Sequence, residues 1–169
     1  MALLYYSNDE IIDIDRIIKL KQELHCNEKF IYKPIGIWFL TDLDRYDNIY
    51  DEEYYFLFDT LCSYLYEFEL NDTTNILKIS NIKELAGFTH EFSREFVTNK
   101  HEFHIDWKSV INKYDGMIIS NFDEIKKEIM LMKNIYLVSA LSWIFNLKCS
   151  CACIFKPGIL VQKNKLMNL

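Results

Sequence analysis

The segment Lys33-Pro34-Ile35-Gly36-Ile37-Trp38-Phe39-Leu40-Thr41 turns the chain and then extends it. Pro34 fixes the backbone dihedral at the turn, and Gly36 lets a neighbouring backbone or a ligand come close. Ile37 to Leu40 is an apolar run of strand length, and Trp38 fills either a core or the wall of a pocket. The segment predicts a strand near the core. Met117 to Ser120, bounded by Asp115-Gly116 and Asn121, predicts another.

Outward from that segment the chain alternates irregularly. Ala2 to Tyr6 reads as a short strand, after which Ser7, Asn8 and Asp9 offer caps for a helix carrying Ile11, Ile14, Ile17, Ile18 and Leu24 at helical spacing. Asp42 to Glu53 is acidic and reads as a solvated loop. Tyr54 to Tyr66 suits a helix, while Tyr64, Tyr66, Phe68 and Leu70 suit a strand equally well. Ile76 to Ile79 predicts a strand after the Asn71-Asp72 turn. Asn81, with Glu84 three residues on, marks a helix start, and Asp106 caps a helix over Trp107 to Tyr114. Phe122 to Met132 places Ile125, Ile129 and Met132 on one helical face, and Cys149 to Phe155 and Ile159 to Gln162 read as two strands across Lys156-Pro157-Gly158. Strands and helices mix without regular alternation, so the expected class is α+β, and residues 1–169 read as one domain without repeats or a Gly/Ser linker.

Composition excludes several partners. The 169 residues carry 19 Lys and Arg against 25 Asp and Glu, a formal charge of −6, which opposes a nucleic-acid binder working by general phosphate attraction. No apolar run reaches membrane-spanning length; the longest, Ile135 to Phe145, is interrupted by Ser139 and Ser142. The first residues run directly into Asn8-Asp9-Glu10 without a basic region, and five cysteines are an odd number, so a cytoplasmic protein is expected. The abundance of Ile, Asn, Lys and Tyr beside four Ala suggests an AT-rich genome, such as that of a virus, a phage or certain bacteria.

Four glycines at Gly36, Gly87, Gly116 and Gly158 stand singly, which excludes a P-loop and a dinucleotide fingerprint, and no G-x-S-x-G elbow occurs. Cys149, Cys151 and Cys153 share one face of a strand with Phe155. Burial of that face in a core is one reading and a zinc site the other, although zinc cysteines usually sit two to four residues apart on turns. No metal is expected. His101-Glu102-Phe103-His104 and His90-Glu91 read as a solvated linker or, alternatively, as an acid–base or ligand set.

Leu3 to Ser7, Lys33 to Leu40, Ile105 to Ile119 and Leu147 to Phe155, with a weaker match over Ile76 to Thr89, stand in the order of a pattern found in an ADP-ribosyltransferase-like family of phages and large DNA viruses, and the chain resembles that family over nearly its whole length. The family pattern opens with Leu-Tyr-His-Tyr-Ser. It continues with Lys-Pro-x-Gly-Leu-Trp-aromatic-Ser, an Ile-Asp-Trp…Tyr-Asp-Gly-Ile-Ile-Ile block, and a Trp-Asp-Cys-Ala-Ser-Gly-Cys-Ile-Trp end. The resemblance implies two small, strongly bent sheets with flanking helices, holding NAD in a cleft lined by Tyr5, Ser7, Lys33, Gly36, Trp38 and Thr41. Tyr5, Trp38 and Thr41 are then expected close together around one concavity. Three positions depart from the pattern: Tyr5 replaces His, Leu40 replaces Ser, and Lys148 replaces Asp. Leu40 has no polar atom and Lys148 carries the wrong charge, so no catalytic residue is assigned. Asp42, Asp44 and Asp115 are the candidate replacement acids. Three functions follow: a viral accessory protein whose degenerate cleft binds a nucleotide or a host protein, an active NAD-dependent mono-ADP-ribosyltransferase, or an unrelated α+β interaction module.

Overall fold

A computed structural model describes residues 2–25, 34–41, 64–72, 74–96, 99–147 and 149–168. Nine strands and five α-helices occupy these residues, and the chain is α+β with a large mixed sheet. The strands are β1 (Leu3–Ser7), β2 (Ile37–Leu40), β3 (Tyr64–Leu70), β4 (Ile76–Ile79), β5 (Ser93–Phe96), β6 (Asn99–Ile105), β7 (Gly116–Ile119), β8 (Cys151–Ile154) and β9 (Leu160–Asn168). The helices are α1 (Ile14–His25), α2 (Ile82–Phe92), α3 (Trp107–Lys113), α4 (Phe122–Met130) and α5 (Ile135–Leu141), the last running into a 3-10 segment at Ser142–Asn146.

Seven strands form one sheet in the order β4-β7-β8-β2-β1-β3-β9, and β5 pairs with β6 in a separate ribbon. The β4–β7 pair is parallel and every other pair is antiparallel. The large sheet corrects the expectation of two small ones. Strand β1 pairs with β2 on one side and β3 on the other, so the motif strands and the antiparallel β3–β9 pair join into one surface.

Period-two alternation then separates two cores. One face carries Leu4, Tyr6, Leu40, Leu65, Ile79, Met117, Ile119, Cys151 and Cys153 beneath α2, α3, α4, α5 and the 3-10 segment. The other carries Leu3, Ile37, Phe39, Tyr66, Phe68, Ile118, Ala152 and Ile154, covered by Ile14 and Ile18 of α1. Strands buried on both faces lose alternation and read as continuous apolar runs, as in Ile37-Trp38-Phe39-Leu40 and Met117-Ile118-Ile119. All four residues of β7 and all four of β8 are buried.

The helix starts follow their capping chemistry. Asn81 accepts from the Glu84 amide at 3.0 Å, while the Glu84 carboxylate accepts from the Ser80 amide at 2.7 Å. Asp106 accepts from the Ser109 amide and hydroxyl. The first helix starts later than the sequence predicts. Its cap is Asp13, which accepts from the Arg16 amide at 3.0 Å, and Ile11 lies before it, 90% exposed. Ser7 instead closes a local turn by accepting from the Asp9 amide. The intervening loop is held by buried Tyr66, whose hydroxyl donates to the carbonyls of Glu10 at 2.7 Å and Asp9 at 3.1 Å. Residues 101–104 form part of β6, correcting the linker expected there, because Ser93–Phe96 returns antiparallel beside them. The acidic segment 42–53 lies outside the described residues.

Gly36 and Gly116 set the spacing around β8. A Cβ on Gly36 would stand 2.3 Å from the Ile154 carbonyl oxygen and 2.8 Å from the Cys153 sulfur, while one on Gly116 would stand 2.9 Å from the Cys153 carbonyl oxygen. Gly87, in exposed mid-helix, has no neighbour near its missing Cβ. Gly36→Ala should therefore cost about 2–3 kcal/mol in denaturant unfolding, whereas Gly87→Ala should stabilise by about 0.5–1 kcal/mol. Equal effects of the two substitutions would contradict this packing.

Candidate functional site

The four segments that carry the family resemblance contribute four adjacent strands, β7-β8-β2-β1. Leu4 faces Leu40 across the β1–β2 pair, and Trp38 faces Cys153 across β2–β8. That register decides where the expected cleft residues point. Tyr5 belongs to the α1 face, with its ring 5.6 Å from Phe39, and Ser7 follows two residues on the same side. Trp38 packs on the opposite face, against the cluster beneath α2 to α5.

Tyr5 and Trp38 therefore do not line one concavity. In antiparallel pairing Tyr5 shares a face with Phe39 and not with Trp38, a consequence of period-two geometry. Thr41 stands half-buried just beyond β2, and Leu40 is buried in the core where the family pattern has a serine. Gly36 admits the β8 backbone, which accounts for its missing side chain without a ligand. Lys33 and Lys148 lie outside the described residues, as do the candidate acids Asp42 and Asp44.

The remaining candidate acid, Asp115, is committed to holding the sheet together. Its carboxylate accepts from Lys156 at 2.7 Å and from the Asn75 amide at 2.8 Å. Its main-chain carbonyl accepts from the amides of Phe155 and Lys156, and its own amide donates to Asn75. The Lys156 ammonium, then the Asn75 amide, hold the carboxyl below the ordinary aspartate range. These bonds tie the start of β4, the start of β7 and the end of β8 at one point.

Cys149, Cys151 and Cys153 lie on one buried face with Phe155, as their spacing predicts. Burial, with Cys151 adding to it, pushes the Cys153 thiol well above its usual pKa, which opposes the thiolate that a metal or a nucleophilic role requires. Its sulfur lies 3.8 Å from the Pro34 carbonyl. Among the described residues no group of three histidines, cysteines or acids is placed to hold a metal ion, and no helix is long and apolar enough to cross a membrane.

Two surface features carry no sequence motif. An open cleft of about 240 Å³ lies between the start of α1 and the β3–β9 edge, lined by Asp13, Asp15, Phe68, Leu160 and Gln162 among others. Its carboxylates oppose an anionic ligand, and Asp15 is already engaged by the Gly158 amide at 2.7 Å. The second is apolar. At the α4–α5 corner, Met130, Leu131, Ile135, Tyr136 and Leu137 are all exposed. The sequence signal for it was the Ile135 to Phe145 run, too short for a membrane and too apolar for a solvated surface.

No family model, no curated protein and no solved structure matches the chain.

The Asp115 cluster has a defined pH signature. A depressed carboxyl pKa contributes stability that is fully present above the ordinary aspartate value of 3.8 and is lost as pH falls through the lower folded value. Asp115→Asn should therefore destabilise at neutral pH by about 1 kcal/mol, a modest figure because solvent screens the half-exposed Lys156. Thermal melts should show the gap from the parent protein narrowing below pH 3.8. A gap that widens in acid would contradict the assignment.

Proposed function

We propose that this chain is an ADP-ribosyltransferase-like accessory protein that acts by engaging another protein, not by transferring ADP-ribose from NAD. The observation that carries the reading is the division of Tyr5 and Trp38 between opposite faces of the sheet, with buried Leu40 at the position where the family pattern has a polar side chain. Electrostatic stabilisation of a ribosyl cation needs preorganised polar groups converging on one point. Tyr5, Trp38 and Leu40 supply no such convergence.

Charge favours the same reading over nucleotide binding. The protein is acidic as a whole, and the described cleft beside α1 is lined by Asp13 and Asp15. Dinucleotide phosphates approaching it would meet like charge. The exposed apolar corner, by contrast, is the kind of surface that protein partners cover. A viral source and a host partner belong to the resemblance and form part of this proposal.

Calorimetric titration with NAD and with ADP-ribose, followed by incubation with labelled NAD, tests the reading. The expected result is no saturable heat at ligand concentrations up to about 1 mM, and no label on the protein or on added target. Saturable NAD binding would return the nucleotide cleft to consideration, and label transfer would establish the enzyme.

A further inference from the structure

We infer that the α4–α5 corner is the surface on which two copies of this chain associate. Met130 is 69% exposed, Leu131 74%, Ile135 75%, Tyr136 64% and Leu137 40%, all within eight consecutive residues. Helix α5, Ile135-Tyr136-Leu137-Val138-Ser139-Ala140-Leu141, contains no charged residue. A helix apolar on all sides is ordinarily buried on all sides. Here its C-terminal end is inside, with Leu141 at 1% exposure, while its first turn faces outward.

Area and charge both point to a second copy as the occupant. Five side chains at these exposures present on the order of 600 Å², at the upper end of the largest patch on an ordinary monomer. A standard interface takes about 800 Å² from each partner, so the patch with a polar rim is of dimer size. From Phe122 to Leu137 the chain carries Asp123, Glu124 and Glu128 against Lys126, Lys127 and Lys133, a balance of three and three within a protein of charge −6. An isologous two-fold contact brings a patch against itself, which requires that it not repel itself. This segment meets that requirement.

Two other surfaces among the described residues suit it less. The outer strand β9 is lined by charge pairs, Lys163 with Glu69 at 2.9 Å and Lys165 with Glu10 at 3.0 Å, which a second copy paired at that edge would have to displace or desolvate. The cleft at Asp13 and Asp15 would confront acid with acid.

This inference rests on the reading of the α4–α5 corner as a protein-binding surface and names its occupant as a second copy, which leaves a host partner to the remaining faces of the pair. Light scattering coupled to size exclusion, over about 1 to 200 µM protein, should show the mass rising from 20.3 kDa to twice that value. Leu131→Glu and Ile135→Glu should each weaken association roughly thirtyfold or more, as expected for a central apolar contact. Val161→Glu, an exposed apolar position on β9, should leave it unchanged. A mass of one chain across the whole range overturns the inference without need of any variant. So does an assembly that both glutamate variants, shown folded by circular dichroism, leave intact. Neither result bears on NAD binding, so failure here and failure of the proposed function are read from separate experiments.

Discussion

Strand β8 is the constraint on which the rest of the structure depends. It lies between β7 and β2, buried on both faces, and its neighbours approach it so closely that each begins beside a glycine. Three of its four side chains, Cys151, Ala152 and Cys153, are small, and Ile154 ends it. Immediately after it, Asp115 takes the next two amides on its carbonyl and the Lys156 ammonium on its carboxylate, while Gln22 of α1 donates to the Phe155 carbonyl. Both layers of helices and the parallel β4–β7 pair are thereby referred to one short strand. Close packing of this kind transmits a misfit of a single methyl group to its surroundings.

The same sheet separates the residues that the family pattern would gather. A sheet is a partition: consecutive residues of a strand look into different cores, and pairing register carries that assignment across every neighbour. Once Leu4 opposes Leu40, Tyr5 looks toward α1 and Trp38 toward α2 to α5. The aromatic residues of the core beneath α2 to α5 satisfy one another. Trp107 and Trp143 meet edge to face at 5.4 Å, Phe88 contacts both, and the Trp143 indole donates to the Thr89 hydroxyl at 2.9 Å. Such a filled interior stabilises the fold.

Among the described residues, five of the nine exposed large apolar side chains cluster at the corner where α4 gives way to α5. The Asn134 side chain caps α5 by accepting from the Tyr136 and Leu137 amides, so the corner is a built turn and its apolar residues are held in a defined arrangement. Burial of that surface by a partner would remove apolar area from water without having to order a loop first.

By itself the sequence determined the short-range structure. Ile37 to Leu40, Ile76 to Ile79, Met117 to Ile119 and Cys151 to Ile154 were legible as strands, and Asn81-Glu84 and Asp106 as helix starts, because apolar runs and caps act over a few residues. The common face of Cys149, Cys151 and Cys153 followed from the same local geometry. Only the tertiary structure decided that β1 joins its neighbours into one seven-stranded sheet, that Asp13 caps the first helix, and that Asn99–Ile105 pairs with Ser93–Phe96. It also decided that Tyr5 and Trp38 face apart. Strand partners and register are set by contacts distant in the chain, where many pairings satisfy the same local pattern and only collective burial of both faces selects one.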